Sequence, residues 1–233
     1  MTGLRLAACS VGLAVFLLAA PAGANEITIT CDGAGGTIAD GDAADLDGDA
    51  NQIEVLFSCS QAQGLWTAEG RVLATVDAEG YADLIVTDTL IEKITGDFIN
   101  GNIDVLHEFD SFITTPVIEA EVDGAYDHLS PAGVIGWADV LFSFYGYGDF
   151  LGAVDPPAAI GIPVPPDVPF AGAVGPTYVG GFPPSERVVI DFYLDLPGDA
   201  IRLDDSVHVS MVPEPGPATL VLACVALALG RRR

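Results

Sequence analysis

Ile190-Asp191-Phe192-Tyr193-Leu194-Asp195-Leu196 places an apolar side chain at every second position, with Asp, Tyr and Asp between them. Successive side chains of a strand point to opposite faces, so a period of two marks a strand with one buried face. The same alternation recurs outward from this stretch in both directions. Ile27, Ile29 and Cys31 alternate with Thr28 and Thr30; Ile53, Val55, Phe57 and Cys59 alternate with Glu54 and Ser58. Val140, Phe142 and Phe144 alternate with Asp139 and Ser143; Val207, Val209 and Met211 alternate with Ser206, His208 and Ser210. Weaker strand patterns run near residues 72–76, 84–87, 103–109 and 117–122.

Turn residues separate these runs: Asp32-Gly33, Asp47-Gly48, Glu79-Gly80, Asp123-Gly124 and Pro197-Gly198-Asp199. No amphipathic helix stands out between the two terminal segments. About nine or ten short strands, each with one apolar face, must bury those faces against one another, as the pattern of spaced strands and turns implies. The expected fold is therefore all-β, an antiparallel β-sandwich or jelly-roll-like domain over residues 25–211.

One segment departs from the pattern. Residues 155–186 hold nine of the sixteen prolines, including Pro156-Pro157, Pro165-Pro166 and Pro183-Pro184. Proline cannot donate to a ladder, so this stretch is excluded from a central strand. It also carries Ile160, Phe170 and Tyr178, so an extended flap lying across the sandwich is expected rather than a solvated spacer.

The chain is strongly acidic, with 33 Asp and Glu against eight Lys and Arg and a formal net charge of −25. All but one of the acids lie between Asn25 and Val212, where only Arg71, Lys93, Arg187 and Arg202 oppose them. A surface this negative repels phosphate backbones, which argues against nucleic-acid partners.

The two ends read differently. Arg5 precedes an apolar run from Leu6 to Ala20, and Ala22-Gly23-Ala24 supplies the small residues of a cleavage site. That order marks a secretory signal peptide over residues 1–24, with a signal helix and Asn25 as the mature N-terminus. Most of the apolar run follows Cys9 instead of preceding it, so lipidation there is rejected. Cys9 leaves with the signal and Cys224 sits in the C-terminal apolar run. Cys31 and Cys59 remain as a pair in an exported domain, where a disulfide is expected to persist; two free buried thiols are the alternative.

Candidate chemistry is sparse. Asp45, Asp47, Asp49 and Asn51 place oxygen ligands at alternate positions in a Gly-containing acidic loop, the kind of donor a calcium ion takes. Neither the bidentate Glu of an EF-hand nor flanking helices are present, so a solvated loop is the first expectation and calcium the alternative. His107, His128 and His208 lack the short spacing of a zinc site. There is no Gly-x-Ser-x-Gly and no Gly-x-Gly-x-x-Gly after a strand. Trp66, Trp137, Tyr145 and Tyr147 would suit stacking on sugars if exposed, although core packing is the usual role of such rings.

The C-terminus reads Val212-Pro213-Glu214-Pro215, an apolar segment from Ala218 to Gly230, then Arg231-Arg232-Arg233. A helix of that apolar length spans roughly 20 Å, against the roughly 30 Å of a hydrocarbon core, and snorkelling arginine narrows the mismatch. The triple Arg favours the cytoplasmic side. Residues 212–233 closely resemble the PEP-CTERM sorting signal of exported bacterial proteins. The resemblance implies a transmembrane helix, recognition by an exosortase-type transpeptidase and cleavage near Pro213–Pro215. It also implies display at or release from the surface of a Gram-negative-type cell, with an association with exopolysaccharide and biofilm. The stretch from Ile27 to Trp66 also looks like secreted proteins that bear this tail, and that likeness carries no active residues. The expected function is thus a non-enzymatic exported cell-surface or extracellular-matrix protein without a cofactor. A calcium-dependent carbohydrate-binding module and a secreted hydrolase are the alternatives.

Overall fold

The computed structural model describes residues 25–212 apart from 50, 62–63, 97, 112, 114–115, 129–135, 162–167 and 181–182. The signal-peptide residues Ala22 and Ala24, the motif residues Pro213, Glu214, Pro215, Arg231, Arg232 and Arg233, and both expected terminal helices lie outside the described residues.

Thirteen strands and no helix occur among the described residues. In chain order they are β1 (Glu26–Cys31), β2 (Ala34–Ala39), β3 (Gln52–Ser60), β4 (Trp66–Val76), β5 (Ala82–Lys93), β6 (Ile99–Glu108) and β7 (Val117–His128). There follow β8 (Gly136–Gly146), β9 (Asp149–Val154), β10 (Ala159–Gly161), β11 (Val168–Tyr178), β12 (Ser185–Leu194) and β13 (Asp199–Val212). All pairings are antiparallel. A seven-stranded sheet runs β10-β8-β12-β6-β1-β2, with β9 also paired to β8; a six-stranded sheet runs β11-β7-β13-β5-β4-β3.

The two inner faces form one core, as the alternation requires. Ile190, Phe192 and Leu194 of β12 are buried, as are Val207, Val209 and Met211 of β13. Aromatic rings lock the layers together. Trp66 of the six-stranded sheet stands edge-on to Phe192 of the other at 4.9 Å, and Phe170 lies 5.9 Å from Phe142. Edge-to-face contact sets the positive ring edge against the negative face.

A disulfide joins Cys31 to Cys59. Cys31 ends β1 in the seven-stranded sheet and Cys59 lies in β3 at the edge of the other, so the bridge ties the two sheets together along one side.

The turn signals sort into two groups. Asp32 and Gly33 both have positive φ (50° and 77°) and close the two-residue β1–β2 hairpin. Positive φ at both central residues matches the strand twist, which is why Asp-Gly is favoured there. Tyr147 and Gly148 repeat that geometry between β8 and β9. Asp123-Gly124, expected as a turn, instead lies inside β7. A Cβ at Gly124 would stand 2.7 Å from Cζ of Phe170 and 2.9 Å from the Arg202 carbonyl oxygen, so the glycine makes room for that ring and backbone. Gly124→Ala is expected to destabilise the domain by about 1–3 kcal/mol through overpacking, read by urea unfolding.

The Pro-rich segment is also more regular than a flap. It contributes β10 beside β8 and β11 beside β7. Both occupy sheet edges, where one side of the strand has no ladder to feed, and Pro176 falls in the register shift between Val174 and Thr177. Val212, read as the first residue of the sorting motif, is the last residue of β13 and pairs with Val117.

Candidate functional site

The polar phase of the seven-stranded sheet carries aromatic side chains that its core does not use. On β8, Trp137, Asp139, Leu141, Ser143 and Tyr145 alternate with the buried Ala138, Val140, Phe142 and Phe144. The registers lay the outward residues in rows: Asp139 beside Tyr193 beside Asn100, then Leu141 beside Asp191 beside Asn102. At the end of these rows three rings meet. Trp137 and Tyr193 are 4.9 Å apart; Tyr193 and Phe98 are stacked at 5.8 Å with planes 19° apart. Trp137 is 42% exposed and Phe98 65%.

Next to the rings lies a shallow recess of about 370 Å³. Among the described residues its polar lining is Asn100, Asp139, Asp155, Asp191 and Tyr193, with no lysine or arginine. Asn102 Nδ2 donates to Asp191 Oδ1 at 2.9 Å, which fixes that carboxylate. Burial raises the Asp139 pKa above the usual carboxylate value, a hydrogen bond from the Val140 amide opposes this, and the charge of Asp155 adds to the rise. Further along the face, Arg187 donates two bonds to Asp104, at 2.7 and 2.6 Å, and lies 5.2 Å over the Tyr145 ring. Tyr145 also meets the exposed Phe150 at 5.4 Å.

A second polar group is sealed inside. His107 and Glu186 occupy one inward row across β6 and β12, both with no exposed side-chain surface. His107 Nδ1 and Glu186 Oε2 are 3.6 Å apart, and His107 Nε2 meets Asn25 Oδ1 at 2.8 Å. Burial lowers the His107 pKa to about 3, against a rise from the negative charge of Asp83. Burial raises that of Glu186 well above normal, and the same Asp83 charge adds to it. Burial favours the neutral form of each, out of reach of any bulky substrate. Asn25, the expected mature N-terminus, is placed directly before β1 and against this group.

The acidic loop uses its carboxylates on itself. Asp45 accepts from the amides of Gly41 (3.0 Å), Glu54 (3.2 Å) and Asp47 (3.4 Å), and Asp47 Oδ1 accepts from Asp49 at 2.6 Å. Partial burial raises the Asp45 pKa, but the three amide bonds outweigh it and hold the value below normal. Asn51, with φ of 105°, donates its amide to Asp40. Among the described residues no group of three or more His, Cys, Asp or Glu is placed to hold a metal ion. Asp45→Ala is expected to cost about 1–3 kcal/mol by stranding those amides, with faster hydrogen exchange at Gly41, Asp47 and Glu54.

The sequence-marked aromatics therefore separate. Trp66 and Tyr147 are core, Tyr145 is half-buried and Trp137 is exposed. His208 faces outward between Asp83 (3.4 Å) and Glu121 (3.7 Å), and its pKa is raised chiefly by the bond to Asp83. Sequence reasoning missed Tyr193 and Phe98. The available signal was phase: Tyr193 stands at the polar position of an otherwise regular strand. No model of a known protein family matches this chain, and no curated protein matches it.

Proposed function

We propose that this chain is a non-enzymatic, exported protein of the cell surface or extracellular matrix, directed there by its N-terminal signal peptide and its C-terminal PEP-CTERM-like sorting signal. The observation that carries this reading is the Cys31–Cys59 bridge. Disulfides persist in oxidising compartments and are rare where thiols are kept reduced. The placement of the strands adds support: β1 begins one residue after Ala24-Asn25, and β13 ends where Pro213-Glu214-Pro215 begins. The folded payload fills the interval between the two sorting segments. On this reading an exosortase-type transpeptidase removes the C-terminal helix after it has held the domain at the membrane, and the sandwich then acts by binding or by structure.

Mass spectrometry of the protein from its native host tests the route. The expected mature species begins at Asn25, ends near Pro213–Pro215 and carries the bridge. A species that retains Arg231-Arg232-Arg233 refutes processing, and one that keeps residues 1–24 with both thiols free refutes export. Turnover in a screen of glycoside and ester substrates would overturn the non-enzymatic assignment.

A further inference from the structure

From the ring-lined recess we infer that the outer face of the seven-stranded sheet is a binding site for a neutral polysaccharide chain. Such a site would serve whatever the route of export. Sugars present an apolar ring face and an edge of hydroxyl donors. Tyr193 lines the recess, with the exposed Phe98 stacked on it and the exposed Trp137 tilted against it. Such rings bury large area with few rotatable bonds, so ordering a ligand on them is inexpensive in entropy. Beside them the carboxylates of Asp139, Asp155 and Asp191 are acceptors only, matched to hydroxyl donors. Asp191 is already oriented by Asn102.

The lining also discriminates among occupants. A proline-rich peptide offers carbonyl acceptors and few donors, so it finds little to bond among carboxylates. An anionic polysaccharide meets carboxylates with no cationic side chain among the described residues of the recess, on a chain of net charge −25. A long ligand fits better than a short one. Trp137 and Tyr145 share the outer face of β8 and lie about 27 Å apart along it, at about 3.4 Å per residue. At the far end Tyr145 and Phe150 form a second ring pair.

The test is native affinity electrophoresis of the protein from its host in gels containing glucomannan, xyloglucan, laminarin or dextran. Alginate gels and a proline-rich peptide serve as competing occupants. At least one neutral polymer should retard the protein. Trp137→Ala and Tyr193→Ala should each weaken that retardation roughly tenfold, as expected of aromatic anchors in an interface. Phe150→Ala should weaken the polymer but not a short fragment of it. Because Trp137 is exposed and Trp66 buried, the bound polymer should also shield Trp137 from N-bromosuccinimide in the unmodified protein. No retardation by any neutral polymer overturns the inference. So does retardation unchanged in both ring variants, or preferential binding of alginate or the peptide.

Discussion

Replacing Cys31 and Cys59 together by serine should lower the unfolding free energy by about 3–4 kcal/mol. The bridge spans a sequence separation of 28 residues. Its main effect is on the unfolded chain, whose loop it closes, and the chain-entropy relation gives that range for a loop of this length. The position adds a native-state term. The two cysteines belong to different sheets, near the edge where β1 and β3 face each other, and Cys31 is buried against the core. Urea unfolding of the protein with and without reductant measures the effect. The reduced protein should fall to the level of the double variant. If oxidised, reduced and substituted forms unfold at the same denaturant concentration, the bridge does not form in solution and the case for an oxidising compartment loses its footing.

The buried His107–Glu186 group should give a distinctive pH dependence. His107 has its folded pKa lowered from 6.5 to about 3, so the stability linked to it is present above 6.5 and is lost as pH falls toward 3. Glu186 has its folded pKa raised from 4.5, so its contribution is complete below 4.5 and is lost as pH rises. Above 4.5 the two slopes oppose each other for as long as Glu186 keeps its proton and the unfolded chain's His107 still titrates. Once His107 no longer titrates, Glu186 acts alone and stability falls with pH until it ionises. The many surface acids add their own dependence, so the clean measurement is a difference. Glu186→Gln removes the alkaline limb. Its unfolding free energy relative to the unmodified protein should therefore climb with pH above 4.5, by at most about 1.4 kcal/mol per unit, until Glu186 ionises. Asp83, on β5, biases both groups toward holding their protons and remains in the variant. A difference that stays flat from pH 5 to 8 would mean that Glu186 is ionised in the folded protein.

Much of the architecture was legible because burial imposes its period on the chain. The regular alternations of β1, β3, β8, β12 and β13 mark strands that each have one face on the core. What escaped had no such constraint. β2 is Ala-Gly-Gly-Thr-Ile-Ala and largely exposed, so no apolar face announces it. β11 lies at an edge, where prolines are tolerated and the ladder rather than the side chains defines the strand. Gly124 resembled a turn residue because composition cannot distinguish a glycine needed for its φ from one needed for its lack of a side chain. The candidate face was harder still. Trp137 and Tyr145 were visible as aromatic residues, but their meeting with Tyr193 and Phe98, or with Phe150, depends on strand order. The sealed His107–Glu186 pair joins strands distant in sequence, and nothing local to either residue foretells it.

The place of β13 has a mechanical consequence. It lies between β7 and β5, bonded to both, and its last residue is Val212. Tension arriving through the chain beyond Val212 would run parallel to the strand and perpendicular to its hydrogen bonds. The ladders on both flanks would then resist in shear, many bonds yielding together instead of peeling one by one. A tether fastened there would pull on a strand held by ladders on both flanks.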